Sequence, residues 1–237
     1  MKLIFALLFI SMFSTLALCQ ELCDNGIDDD GDLLIDLNDP DCECNEILVT
    51  GLIPNPSFEE RTCCPQSENE LNCAVNWIQA SGPTTDYWHT CGTVCHDFTD
   101  NCAPLPPPDG QGFIGFRDGK PGNSNFKEYA GACLTENMKI GREYTIDFFT
   151  GFANRDDNQS TSFEITLFAT TDCSNLPFGA SNINFGCPTN GTGWVQLDQL
   201  SLSGNNEWKN TKFTFIADQE YAAIVLGPGC NLSLIHI

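Results

Sequence analysis

The sequence predicts an all-β fold, on three observations. Apolar and polar residues alternate at period two in short stretches, notably YTIDF at 144–148, FEITL at 163–167 and KFTF at 212–215, the pattern of strands with one buried face. Turn-forming clusters rich in Gly, Asn, Asp and Pro separate such stretches, at 109–110, 118–123, 153–160 and 204–206. No segment of ten or more residues carries a helical stripe. Runs at 47–52, 112–116 and 221–226 are more continuously apolar, as central strands of a sandwich would be.

The chain opens with Lys2, an unbroken apolar run from Leu3 to Ile10, and a second apolar stretch ending Leu16-Ala17-Leu18-Cys19, before Gln20 and Glu21 turn polar. A basic start, a short apolar region and a small-residue boundary read as a secretory signal peptide over residues 1–19. The run is too short to be preferred as a membrane span. The expected location is therefore secreted or on an extracellular surface.

Residues 20–46 form the second segment. Between Glu21 and Glu46 lie eight Asp and three Glu and no Lys or Arg, so half of the net charge of -22 sits here. Such a block repels itself unless something neutralises it. Counted from Asp28, carboxylates fall at loop positions 1, 3, 5, 9 and 12 as Asp28, Asp30, Asp32, Asp36 and Asp39, with Leu34 at position 7, where a backbone carbonyl would serve. This is the ligand spacing of an EF-hand loop, and crowded hard oxygens suit Ca2+ better than magnesium. Leu33 stands where Gly normally makes the turn, and Asp39 replaces the longer Glu; both departures predict weak binding, about 10⁻⁴ to 10⁻³ M. The segment CDNGIDDDGDLLIDLNDPDC resembles the aspartate-rich calcium repeats of thrombospondin type 3 and dockerin-like proteins. Cys23 and Cys42, or Cys44, bracket it, and a disulfide between them would hold a segment with almost no core. The competing reading is a solvated acidic spacer.

Residues 47–231 carry the strands. LIPNPSFEE, AVNWIQASG, GQGFIGF, YAGACLTENMKIGREYTIDFFTG and TGWVQLDQLSLSGNNEWKNTKFTFIADQEYAAIVLGP resemble, in that order, a carbohydrate-binding-module-like jelly roll of the galactose-binding-like class, as found in secreted bacterial surface proteins. The resemblance implies a jelly-roll β-sandwich with Asn55 and Phe58 in its first strand. It also makes Glu59 a candidate ligand for a structural calcium.

Sugar-binding sandwiches offer aromatic faces for ring stacking, flanked by polar groups for hydroxyls. Asp86, Tyr87 and Trp88 are the best local fit, expected on a loop because their surroundings are rich in Gly, Pro and Thr. Arg117 and Asp118 would supply polar contacts. The competing reading has Tyr87 and Trp88 packing against a disulfide-rich loop.

Fourteen cysteines suit an oxidising compartment. HTCGTVCH at 89–96 has distances compatible with zinc, but with Cys63, Cys64, Cys73 and Cys102 nearby, disulfides are the preferred reading. Cys173 and Cys187 flank a turn-rich segment and are expected to bridge locally. Removal of the signal leaves thirteen cysteines, an odd number. The last residues, 232–237, read as a non-native or truncated end, so a closing strand and a partner for Cys230 are expected to lie beyond the chain.

The acidic balance argues against nucleic acid as a partner, since phosphate binding is driven by Lys and Arg. No nucleophile elbow or zinc-protease motif occurs, so a catalytic role is not expected. The expected function is a secreted, non-catalytic carbohydrate-binding or adhesion module with an extracellular glycan as partner. A calcium-stiffened spacer, or the targeting module of a polysaccharide-degrading enzyme, are the alternatives.

Overall fold

The computed structural model describes residues 51–92, 103–120, 122–152, 161–178, 186–190, 193–204 and 206–230. The expected signal, the loop from Asp28 to Asp39, Cys23, Cys42 and the segment 232–237 all lie outside the described residues. The strands are β1 (Trp77–Gln79), β2 (Asp86–His89), β3 (Gly112–Gly115), β4 (Asp118–Lys120), β5 (Asn123–Lys127), β6 (Ala130–Cys133), β7 (Glu143–Gly151), β8 (Thr161–Thr170), β9 (Val195–Gly204), β10 (Trp208–Ile216) and β11 (Ala223–Pro228). The fold is all-β and antiparallel, with 3-10 turns as its only helical pieces among the described residues.

Five strands form one sheet in the order β1-β6-β11-β8-β9. Opposite it lies the ribbon of β7 and β10, paired from Glu143↔Ile216 to Gly151↔Trp208. Period-two alternation in both ribbon strands decides which face meets the sheet. Tyr144, Ile146, Phe148, Phe213 and Phe215 pack against Ile165, Leu167 and Ala169 of β8 and Ile224 of β11, closing a β-sandwich. Burial of each large ring or aliphatic side chain here stabilises the fold by about 2 kcal/mol. The other side of the five-stranded sheet is also covered: Phe168 and Val225 pack with Tyr129, Phe178 and Trp194. Burial on both faces is why β11 reads as a continuous apolar run.

Several expectations need correction. The motif NPSFEE is a turn, not a strand: Asn55 and Phe58 both have positive φ, at 49° and 60°. The Asn55 side chain explains the conformation, because it donates to the carbonyls of Glu60 and Val75 and accepts from the N–H of Glu60. Its own carbonyl accepts the indole N–H of Trp77, whose ring lies 4.7 Å from that of Phe58. A small polar side chain that folds back on the backbone is what tolerates the left-handed region.

The last strand of the described residues, β11, lies between β6 and β8 and is hydrogen-bonded on both edges. Neither edge of β11 is therefore free to take a further strand. Cys230 has its partner too, in Cys187, while Cys173 bonds Cys133, so the expected Cys173 to Cys187 bridge does not form. Register explains the exchange: Ala223 of β11 sits opposite both Cys133 of β6 and Thr170 of β8, which carries the turn at Cys173 toward Cys133. Cys63 bonds Cys73 and Cys64 bonds Cys91, which removes Cys91 from any zinc set. Four bridges fit an oxidising compartment. No helix among the described residues is long and apolar enough to cross a membrane.

Candidate functional site

The segment expected on a loop, DYWH, is strand β2, paired with β3 as Asp86↔Gly115, Tyr87↔Ile114, Trp88↔Phe113 and His89↔Gly112. Its Gly- and Pro-containing surroundings are the turns that flank it. Alternation splits the four residues between two faces. Tyr87 and His89 are buried, and the Tyr87 hydroxyl donates to the carbonyl of Phe58 at 2.8 Å. Burial pushes that phenol up to about 12. With no ring face open to solvent, Tyr87 is a core residue and leaves the set of ligand candidates.

Asp86 and Trp88 take the other face, with Phe113 and Gly115 from β3. The Trp88 indole lies against Gly115, where a Cβ would stand 3.3 Å from its Nε1. The outward face of the β7–β10 ribbon is joined to this one through Phe113, whose ring meets Trp208 edge-on at 5.7 Å. Trp208 sits opposite Gly151, where a Cβ would approach its ring to 2.7 Å, and its indole N–H donates to the carbonyl of Pro104 at 2.6 Å. Two tryptophans thus rest over glycines on neighbouring strands, each only half-buried. Next along the ribbon come Phe149, 43% exposed, opposite Asn210, and then Asp147 opposite Lys212. The result is a band of ring faces interleaved with an amide and both signs of charge.

A charged cluster borders the β2 end. Asp86 accepts from the Asn69 N–H at 2.9 Å, and burial, helped by nearby Glu68, raises its pKa above the usual carboxylate range. The Arg117 guanidinium pairs with Glu68 at 3.3 Å, both side chains being about half exposed. Beneath them sits Glu128, 3% exposed, which accepts the Arg117 N–H at 2.8 Å while its own N–H donates to the Arg117 carbonyl. Burial, then the charge of Asp86, push Glu128 up to about 7. That value would suit a general acid, but the carboxyl is out of a substrate's reach and acts on Asp86 and Arg117 through charge.

The sign of its pH dependence follows. Unfolded, the carboxyl releases its proton near 4.5; folded, it holds it to about 7, so the folded state binds more protons between these values. The stability that this group contributes is fully present below about pH 4.5 and is lost as pH rises through about 7, on the order of 3 kcal/mol. E128Q is expected to flatten the pH dependence of urea unfolding across this window. Parallel profiles for the two proteins would contradict the assignment.

Asp118, expected to supply a polar contact to the ligand, is drawn the other way, into an ion pair with buried Lys127. Glu59 is likewise committed. Its Oε1 accepts the N–H groups of Gln111 and Gly112, and its Oε2 faces His89 Nε2 at 3.6 Å. These backbone hydrogen bonds and the His89 contact outweigh its partial burial and leave its pKa lowered. Burial and the Arg61 charge lower the pKa of His89. Amide hydrogens and a ring nitrogen thus flank the carboxylate of Glu59, the candidate calcium ligand, and no group of three His, Cys, Asp or Glu among the described residues is placed to hold a metal. A shallow depression of about 380 Å³ beside it is lined by Glu59, Arg61, Thr62, Cys63 and Cys64.

Of the expected ligand residues the structure therefore brings Asp86, Trp88 and Arg117 together and adds Glu68, Phe113, Glu128, Phe149 and Trp208. Phe149, within EYTIDFFTG, was open to detection as the outward member of an alternating strand; Glu128 carried no such signal.

No protein-family model matches the chain, and no curated protein matches it. Among solved structures, one titled "CBM4 structure and function" overlaps with a TM-score of 0.29 and 13% identity, over 75% of this chain and 88% of that one. That overlap carries no functional argument, which rests on the face itself.

Proposed function

We propose that the chain is a non-catalytic glycan-binding module of an extracellular protein, and that its ligand lies along the outward face of β2, β3, β7 and β10. The observation that carries this reading is the row Trp88, Phe113, Trp208 and Phe149, flanked by Asp86, Arg117, Asn210 and Lys212. Pyranose rings have an apolar face that stacks on aromatic carbon and an equatorial rim of hydroxyls that seeks carboxylates, amides and guanidinium. Aromatic residues on outward positions of a strand cost the fold solubility, so their grouping on one face favours a ligand over chance exposure.

The test is to screen the full chain against immobilised plant, algal and microbial polysaccharides and titrate any hit calorimetrically. Saturable binding lost in W88A supports the reading; binding that survives W88A and W208A alike rejects this face.

The acidic segment serves the same module as a calcium-binding leader through Asp28, Asp30, Asp32, Leu34, Asp36 and Asp39. Titration of the full chain is expected to show one calcium site with a dissociation constant of about 10⁻⁴ to 10⁻³ M, abolished in the D28N/D30N double variant. No heat at millimolar calcium would make the segment a spacer.

A further inference from the structure

We propose that Lys127 and Asp118 form an intramolecular amide bond that clamps β4 to β5. Lys127 is fully buried, at 1% exposure, and its Nζ is in direct contact with Asp118 Oδ1, whose side chain is 18% exposed. The two residues are cross-strand partners in the β4–β5 hairpin, so the contact is set by backbone register and not by the wandering of a long side chain. Held in this way, Nζ and the carboxyl carbon meet as near-attack partners, the arrangement that replaces a bimolecular encounter with a unimolecular one.

The step begins with transfer of one proton from the ammonium to the carboxylate it touches. The amine lone pair then attacks Cγ of the carboxylic acid. The new N–C bond forms as the C–OH bond breaks, the hydroxyl leaves with a proton from the nitrogen as water, and no oxidant or external reagent is consumed. Tyr129, two residues from Lys127, is fully buried, and its hydroxyl has no hydrogen-bond partner among the described residues. Asp118 is close enough for its charge to help raise that phenol's pKa, behind the larger effect of burial. The product replaces a buried ammonium and its carboxylate partner with one neutral amide and ties the hairpin covalently against fraying and proteolysis.

The experiment is mass spectrometry of the full chain, purified with its disulfides formed, followed by reduction, alkylation and tryptic mapping. Bond formation removes one water, about 18 Da, and blocks cleavage after Lys127. The peptide expected is 118–139, with no backbone fragment ions from within the ring that 118–127 then closes. Asp118 precedes Gly119, and a succinimide there would remove the same mass; it leaves Lys127 open to trypsin, and that result overturns the proposal, as does the full unmodified mass. K127R is expected to restore the full mass. D118N keeps the electrophilic carbon and is expected to lose ammonia instead, about 17 Da, with the same blocked cleavage; normal cleavage after Lys127 in folded D118N overturns the proposal independently.

Discussion

Replacing Asn55 with alanine is expected to destabilise the module by about 3 kcal/mol, from three lost side-chain hydrogen bonds at about 1 kcal/mol each. The backbone adds to this, since φ at Asn55 is 49° and alanine in the left-handed region costs roughly 1 kcal/mol more. For a domain of this size the melting temperature is expected to fall by about 10 °C. The effect is large because the residue joins three segments: the turn itself, Glu60 beyond it and Val75 before β1, with Trp77 hung from its carbonyl. N55D separates the contributions. It retains the acceptor toward the Glu60 N–H but loses both donors, so it is expected to recover about one third of the loss in thermal or urea unfolding. A melting temperature for N55A within 2 °C of the parent would contradict this account of the turn.

Loss of the Trp208 indole is the second large effect, now on binding. In the glycan titration, W208A and W88A are each expected to weaken affinity by about thirtyfold, the 2 kcal/mol typical of a buried aromatic anchor. Both rings rest on glycines, so truncation removes stacking area without releasing a packed neighbour on that side. Tyr87 supplies the control. Its ring is fully buried beneath the same strand, so Y87F, which removes only the hydroxyl bonded to the Phe58 carbonyl, is expected to lower stability by about 1 kcal/mol and leave affinity unchanged. The reverse ordering, with affinity sensitive to Y87F and indifferent to W208A, would move the ligand off the outward face.

These two effects also mark where sequence reasoning worked and where it stopped. The strands β7, β8, β10 and β11 were legible because their patterns are local: period two where one face is buried, a continuous apolar run where both are. The placement of DYWH on a loop failed because four residues are too short for alternation to outweigh a Gly- and Pro-rich context, and only pairing with β3 reveals the strand. Reading Asn55 and Phe58 as strand failed for a related reason. The hydrogen bonds that hold them in a turn come from the Asn55 side chain and from Val75, twenty residues away.

The site divides in the same manner. Asp86, Trp88 and Arg117 were found by residue type, since sugar recognition needs rings, carboxylates and guanidinium. Tyr87 and Asp118 belong to the same chemistry but are spent inside, one on the core and the other on Lys127. Residue type says what a side chain can do; which face it occupies follows from register.

By itself, the sequence determined the fold class, the oxidised character of the chain and the concentration of its charge near the start, because composition and periodicity need no partner to be read. Only the tertiary structure decided which cysteines pair, which aromatic rings share the outward face and which lysine lies buried against an aspartate. Each of these depends on distances between residues far apart in the chain, and those distances are set by sheet order, which leaves no local mark.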